Sequence, residues 1–132
     1  WAEQVEPLLG EDVEVHGECG QEQKTELLAG AAALLFPIQW PEPFGLVMVE
    51  AMACGTPVVT YRTGGSPESV TDSCGAVIPQ GDLDAAAELA LHGRWSPAAC
   101  TARAAGYDRT ERFREYLSLY DGLTRQDREK TL

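Results

Sequence analysis

The chain has 132 residues, which is enough for one domain. Its formal net charge of −11 disfavours a nucleic-acid partner and electrostatic docking on an anionic membrane, because both carry phosphate groups that an acidic surface repels. The longest apolar run, residues 29–38, is too short to span a bilayer. The four cysteines lack the C-x2-C spacing of a zinc site. Because they are scattered along the chain, they favour a reducing, cytoplasmic setting.

The first third of the chain predicts two strands separated by a helix. Val13 and Val15 alternate with acidic residues, which predicts a short strand before a turn. Residues 22–29 predict a helix that ends at Gly30. The apolar run 31–36 has the length of a strand, and its composition is typical of a strand covered on both faces in a parallel sheet.

Residues 45–54 predict a buried helix, because the segment 46–53 is apolar around its whole circumference apart from one residue. Gly55 then ends the helix. The exception is Glu50, and a buried carboxylate is costly unless it meets hydrogen-bond donors. At the other end, Gly45 lets a ligand approach the first turn, where unpaired N–H groups and the helix dipole favour an anion.

The middle of the chain continues the alternation of strands and helices. The short β-branched run 57–61 predicts a second, central strand. Gly64 and Gly65 predict a turn, and residues 67–70 predict a short helix after it. Residues 75–79 predict a third buried strand.

The last third of the chain is predicted to be helical. Asp82 is the expected cap of a helix over 83–91. Ser96 followed by Pro97 predicts the start of another helix, because proline is favoured at the first helical position, and Gly106 ends it.

A final amphipathic helix is predicted over residues 107–125, with Thr110 as its N-cap. Its apolar stripe consists of Phe113, Tyr116, Leu117, Tyr120 and Leu123. We expect this stripe to pack against the domain. The charged residues 126–132 predict a frayed tail.

The alternation of strands and helices predicts an α/β fold with a doubly wound parallel sheet. Ligands of such sheets bind outside the carboxyl ends of the strands. Residues 36–42 and 61–65 both follow predicted strands. We therefore expect these two segments to border one crevice that holds the ligand.

One continuous stretch carries a close family resemblance. Residues 42–50 read Glu-Pro-Phe-Gly-Leu-Val-Met-Val-Glu and match the E-x7-E signature of retaining GT-B glycosyltransferases. Residues 51–59, Ala-Met-Ala-Cys-Gly-Thr-Pro-Val-Val, and 64–68, Gly-Gly-Ser-Pro-Glu, continue the pattern without a gap. The joined run is specific where a lone E-x7-E would be weak, and it resembles the group 1 glycosyl transferases. The resemblance covers residues 13–120.

The resemblance implies that residues 1–132 are a partial C-terminal nucleotide-sugar-binding domain. Its Rossmann-like sheet would be the C-terminal half of a GT-B fold, incomplete at the N-terminus, with two strands absent between those at 13–15 and 31–36. The family also places an arginine, a lysine and an acceptor-binding domain upstream. We expect these missing parts in the same protein or in a companion chain.

The resemblance also assigns site residues by position. Glu42 is the expected catalytic residue, which orients the transferred sugar and is not a covalent nucleophile. Glu50 is expected to hold the ribose hydroxyls of the nucleotide. The remaining expected substrate-binding residues lie around the sugar, the phosphates or the base, and they are Phe44, Gly45, Leu46, Val47, Cys19, Gly64 and Gly65.

Four of these residues, Glu42, Glu50, Gly64 and Gly65, also have a purely structural explanation. Glu42 could be a first-turn acid favoured by the helix dipole, and Glu50 a structural carboxylate bonded to backbone. Gly64 and Gly65 could form a plain turn. His16 is explained by its place at a strand end, with no nucleophile or metal partner nearby in the sequence.

The function implied by the resemblance is transfer of a sugar from a nucleoside diphosphate sugar to an unidentified acceptor, with retention at the anomeric carbon. Residues 1–132 alone are expected to be inactive. No metal or cofactor is expected, and the location is expected to be cytoplasmic, with any attachment to the inner membrane face made by parts outside this chain. The alternatives are a non-catalytic nucleotide-sugar-binding module or another GT-B reaction, such as that of a sugar-nucleotide epimerase or a phosphorylase.

Overall fold

The structure is a computed structural model that describes Glu3 and residues 5–129. After a short 3₁₀ turn at Glu6–Leu8, this part of the chain contains three strands and six α-helices. The strands are β1 Leu34–Phe36, β2 Val58–Tyr61 and β3 Gly75–Ile78. The helices are α1 Gln21–Gly30, α2 Leu46–Ala53, α3 Ser66–Ser69, α4 Leu83–His92, α5 Pro97–Ala105 and α6 Arg109–Glu129.

The three strands form one parallel sheet in the order β1-β2-β3. Leu34 pairs with Val58, and Val58 pairs in turn with Gly75 on the other side. Every residue of β2 is buried, as expected for the central strand. Consecutive parallel strands need a crossover, and α2 and α3 supply the two crossovers here.

Helices cover both faces of the sheet, which confirms the predicted doubly wound α/β class. On one face Met48 and Met52 of α2 pack with Val58 of β2 and Cys100 of α5 in a fully buried cluster. On the other face, α4 covers Val59, Tyr61 and Ile78 through Ala86 and the partly buried Leu89. Because residues of β2 alternate between the two clusters, the strand ties the layers together.

The strand predicted at Val13 and Val15 is wrong. These residues lie in irregular structure with side chains 49% and 53% exposed. A strand is stable only where a neighbour satisfies its backbone groups, and in the described residues the sheet ends at β1.

Residues 31–36 contain the predicted strand, but the predicted first residue of the strand and its predicted burial on both faces are wrong. Strand β1 begins only at Leu34, and Leu35 is 39% exposed, whereas coverage on both faces was expected. The strand is exposed because β1 is an edge strand of the sheet.

The helix predicted over 45–54 is confirmed by α2, but its first residue, Leu46, is 69% exposed.

The predicted cap of α4 is confirmed, and the predicted cap of α6 is wrong. The carboxylate of Asp82 accepts the Ala85 N–H at 3.1 Å, which confirms the cap of α4. Helix α5 begins at Pro97 as predicted, with Ser96 at the N-cap position, although the Ser96 side chain makes no capping hydrogen bond. The cap of α6 is Asp108 and not Thr110, since its Oδ1 accepts the N–H groups of Thr110 and Glu111.

The apolar stripe of α6 does not pack against the domain, so that expectation is wrong. Its five large residues are each between 51% and 64% exposed. Helix α6 leaves the domain after Asp108 and meets no covering element in the described residues. The tail predicted to fray begins inside α6, which continues to Glu129, and residues 130–132 lie outside the described part of the chain.

None of the helices in the described ranges is both long enough and apolar enough to cross a membrane.

Candidate functional site

The loops that follow β1 and β2 meet at the carboxyl edge of the sheet, as the topology predicts. The Thr63 hydroxyl donates to the Trp40 carbonyl at 3.3 Å, and the Gly65 N–H donates to the Glu42 carbonyl at 2.8 Å. A cleft of about 520 Å³ opens beside this junction. It is lined by Phe36, Pro37, Ile38, Gln39, Trp40 and Glu42.

Gly64 and Gly65 allow the two loops to touch through their backbones. A Cβ atom on Gly64 would overlap the Glu42 carbonyl oxygen, and one on Gly65 would overlap the Pro43 carbonyl oxygen. Gly64 also has φ of 50°, in the left-handed region. The pair is therefore more than a plain turn, because it fixes the position of the loop that carries Glu42.

The Glu42 carboxylate is held at the entrance of α2. Its Oε1 accepts the Gly45 N–H at 3.3 Å, and its Oε2 accepts the Trp40 indole N–H at 3.2 Å. Gly45 has φ of 73°, and a Cβ atom there would lie 2.7 Å from the terminal methyl carbon of Met48. The turn at Gly45 thus requires glycine, and it brings Glu42 beside the first turn of the helix.

The start of α2 has the properties of an anion site. Its first N–H groups, those of Leu46 and Val47, have no acceptor within the helix because of helix geometry. The positive end of the helix dipole lies at the same place. Leu46 is exposed and Val47 half-buried, so this turn is open to solvent.

Glu50 does meet a donor, as its place in an apolar helix requires. The Lys24 ammonium group of α1 donates to Glu50 Oε1 at 2.7 Å. Both side chains are 33% exposed, so Glu50 is half-buried and not fully buried. The sequence alone does not indicate this partner, because the two residues are 26 positions apart and no local spacing links them.

Phe44 is fixed by residues from the C-terminal part of the chain. Its ring packs edge-to-face on Tyr107, with centroids 5.4 Å apart. The Tyr107 hydroxyl accepts from Arg103 at 2.8 Å and donates to the Glu68 carbonyl at 3.2 Å. Arg103 also donates to the Ser69 carbonyl at 3.0 Å. No local pattern in the sequence indicates Arg103 or Tyr107, since only the tertiary fold brings them to the site.

Cys19 lies just before α1, half-buried, and its thiol donates to the Gly17 carbonyl at 3.4 Å. Helix α1 runs into β1 through only a short connection, so the amino-terminal end of α1 lies toward the carboxyl edge of the sheet. Cys19 therefore lies on the same side of the domain as the cleft. Its expected contact with a nucleotide base stays a prediction.

The remaining chemistry-bearing groups do not form a metal centre. Among the described residues, no group of three or more histidine, cysteine, aspartate or glutamate side chains could hold a metal ion. Cys74 and Cys100 belong to the core. Burial raises the pKa of the Cys100 thiol above its ordinary value, and the neighbouring Cys74 raises this pKa further. This thiol therefore stays neutral and packs as an apolar side chain.

The sequence profile of the family described as glycosyl transferases group 1 matches residues 3–94. The chain belongs to this family. The resemblance in the segment 42–68 is thereby confirmed at the level of the family.

The chain is also similar in sequence to curated proteins that are named as glycosyltransferases. D-inositol 3-phosphate glycosyltransferase of Streptomyces griseus is 39% identical over 90 residues, which cover 68% of this chain and 19% of that protein. A GDP-mannose-dependent monoacylated alpha-(1-6)-phosphatidylinositol monomannoside mannosyltransferase of Corynebacterium glutamicum is 44% identical over 50 residues, 38% of this chain and 13% of that protein. The chain thus spans at most about a fifth of the length of these relatives.

The structure of sucrose-phosphate synthase from Thermosynechococcus elongatus superposes with a TM-score of 0.76 at 26% sequence identity. The match covers 90% of this chain and 32% of that one. This likeness confirms the predicted fold class, a Rossmann-like parallel sheet that forms part of a GT-B fold.

Gly65→Ala is expected to lower the free energy of unfolding by about 1–3 kcal/mol, because the added methyl group collides with the Pro43 carbonyl. Gly65 has φ of −81°, so the effect reports the collision and not backbone strain. Urea denaturation of the protein that carries this chain measures the change. Gly17→Ala is the control, since a Cβ atom there meets nothing within 4 Å. Equal midpoints for the two variants would show that the loops do not need this contact.

Proposed function

We propose that this chain is the donor-binding part of a retaining glycosyltransferase, which moves a sugar from a nucleoside diphosphate sugar to an acceptor. The observation that carries the proposal is the arrangement of Glu42 and Glu50 around α2. The Glu42 carboxylate lies beside the cleft, just before the first turn of α2, and the Glu50 carboxylate lies about one turn into the same helix. Family membership and the anion site between them support the same conclusion.

In this proposal each part of the donor meets a distinct group. The diphosphate lies at the N–H groups of Leu46 and Val47, where the helix dipole offsets its negative charge. The ribose hydroxyls bind the Glu50 carboxylate, and the sugar hydroxyls bind the Glu42 carboxylate. Phe44 and Gly45 shape the turn under the sugar. Cys19, Gly64 and Gly65 border the pocket.

The chemistry needs stabilisation of two developing charges. As the bond between the anomeric carbon and the phosphate oxygen breaks, negative charge grows on the diphosphate and positive charge grows on the sugar. Glu42 is close enough to the cleft to orient the sugar and to offset the positive charge. The acceptor hydroxyl attacks the face from which the diphosphate leaves, which retains the configuration without a protein nucleophile.

The rest of the machinery belongs to parts outside this chain in the same proposal. These parts are an acceptor-binding domain and the basic residues that neutralise the leaving diphosphate. The proposal needs no metal or cofactor, and it places the enzyme in the cytoplasm, where any contact with the inner membrane face is made by the other parts.

The test of the function is sugar transfer by the full-length protein, with GDP-mannose and UDP-glucose as donors. We expect release of GDP or UDP, and NMR of the product is expected to show a retained anomeric configuration. Residues 1–132 alone are expected to bind either donor poorly and to transfer no sugar. An inverted product would refute the retaining mechanism, and efficient transfer by the fragment would refute the need for further parts.

Glu50→Gln is expected to weaken GDP or UDP binding by about 1–1.5 kcal/mol, which is the difference between a charge-assisted hydrogen bond to ribose and a neutral one. Isothermal titration calorimetry on the full-length protein measures the affinity. Glu26→Gln is a matched control on the exposed face of α1. If the two variants bind the nucleotide equally well, Glu50 does not hold the ribose.

Glu42→Ala is expected to lower turnover by about 10²–10³-fold, because it removes an interaction that the transition state needs. Affinity for the nucleotide without its sugar should change little. Glu42→Gln is the second variant, since its side-chain oxygen can still accept the Gly45 N–H and keep the turn in place. A parallel loss of turnover and nucleotide affinity in both variants would argue against the sugar-orienting role.

A further inference from the structure

The ion pair between Lys24 and Glu50 joins the two helices next to the proposed ribose site. The distance from Lys24 Nζ to Glu50 Oε1 is 2.7 Å, and each side chain is only 33% exposed. Exposed ion pairs contribute little to stability, typically about 0–1 kcal/mol. This pair is more enclosed than such a surface pair, because about two thirds of each side chain is buried.

The composition of the two helices makes the pairing specific. Glu50 is the single charged residue of α2, and Lys24 is the single basic residue of α1. Lys24 also has two acidic neighbours, Glu22 and Glu26, but residues two positions apart on a helix do not face each other. The ammonium group therefore contacts the one carboxylate of the apolar helix.

The hydrogen bonds of Glu50 leave one oxygen available. Lys24 donates to Oε1, and Oε2 accepts no hydrogen bond from the residues that the structure describes. A carboxylate has lone pairs on both oxygens, so Oε2 can accept from a ligand hydroxyl while Oε1 remains bound. The positive charge of Lys24 also offsets the repulsion between Glu50 and a nearby diphosphate.

We propose that Lys24 is a positioning residue that holds the Glu50 carboxylate in the orientation that receives the ribose hydroxyls of the donor. This inference rests on the proposed function, because it assumes that Glu50 binds ribose. Lys24 acts through Glu50 and does not itself contact the nucleotide. It is a contact that the sequence motif does not contain, since it comes from the preceding helix.

The experiment measures binding of GDP and UDP, and of their 2′-deoxy forms, to the full-length protein by calorimetry. Lys24→Met keeps the apolar stem and removes the ammonium group. We expect about three- to tenfold weaker binding of GDP or UDP, within the range of coupling between contacting residues. The preference for the ribonucleotide over its 2′-deoxy form should fall, because a misplaced carboxylate no longer recognises the hydroxyl. Lys24→Arg should restore both values.

Two further variants separate positioning from other roles. In Glu50→Gln protein, the additional Lys24→Met change should have little further effect, because there is no carboxylate left to orient. Arg94→Met is the matched control, since it removes one positive charge near the opposite edge of the sheet. It should leave the affinity and the ribose preference unchanged.

Three results would overturn the inference in distinguishable ways. If Lys24→Met lowers the nucleotide affinity equally in the wild-type protein and in the Glu50→Gln protein, Lys24 contacts the phosphates directly. A lower denaturation midpoint with an unchanged ribose preference would show a structural role alone. Wild-type protein that binds none of GDP, UDP, ADP, CDP and dTDP would overturn the proposed function, and the positioning role with it.

Discussion

The site depends on one close approach between two backbones, that of Gly64 and Gly65 to the segment 42–43. Because neither glycine has a side chain, the loop after β2 lies directly against the loop after β1. That contact sets the position of Glu42, whose carboxylate in turn receives the N–H that begins the turn into α2. The direction of α2 then brings Glu50 against Lys24. A chain of short contacts thus connects the sheet edge to both carboxylates.

Much of this fold can be predicted from the sequence, because the information is local. The buried run of β2, the apolar circumference of α2 and the aspartate before α4 each determine their own element within a few residues. The motif is also local, since Glu42 and Glu50 lie on one turn and one helix. The resemblance joins these segments, and the family assignment then follows from a single continuous stretch of sequence.

The rest of the structure depends on contacts that no local pattern encodes. Val13 and Val15 have the alternation of a strand, but a strand also requires a neighbour, and alternation says nothing about neighbours. The stripe on α6 has the spacing of a packed helix face and remains uncovered in the described residues. Lys24 and Tyr107 reach the site from distant positions, so only the assembled fold identifies them.

The anchoring of Phe44 by Tyr107 has a consequence for the order in which the site forms during synthesis. The carbonyl that Tyr107 contacts belongs to Glu68, which the ribosome adds 39 residues earlier. At elongation rates of about 5–20 residues per second, Phe44 emerges several seconds before Tyr107, which packs against its ring. The nascent chain therefore carries a complete motif before the Phe44 ring has its aromatic partner, and this contact forms only when α5 and Tyr107 have left the exit tunnel.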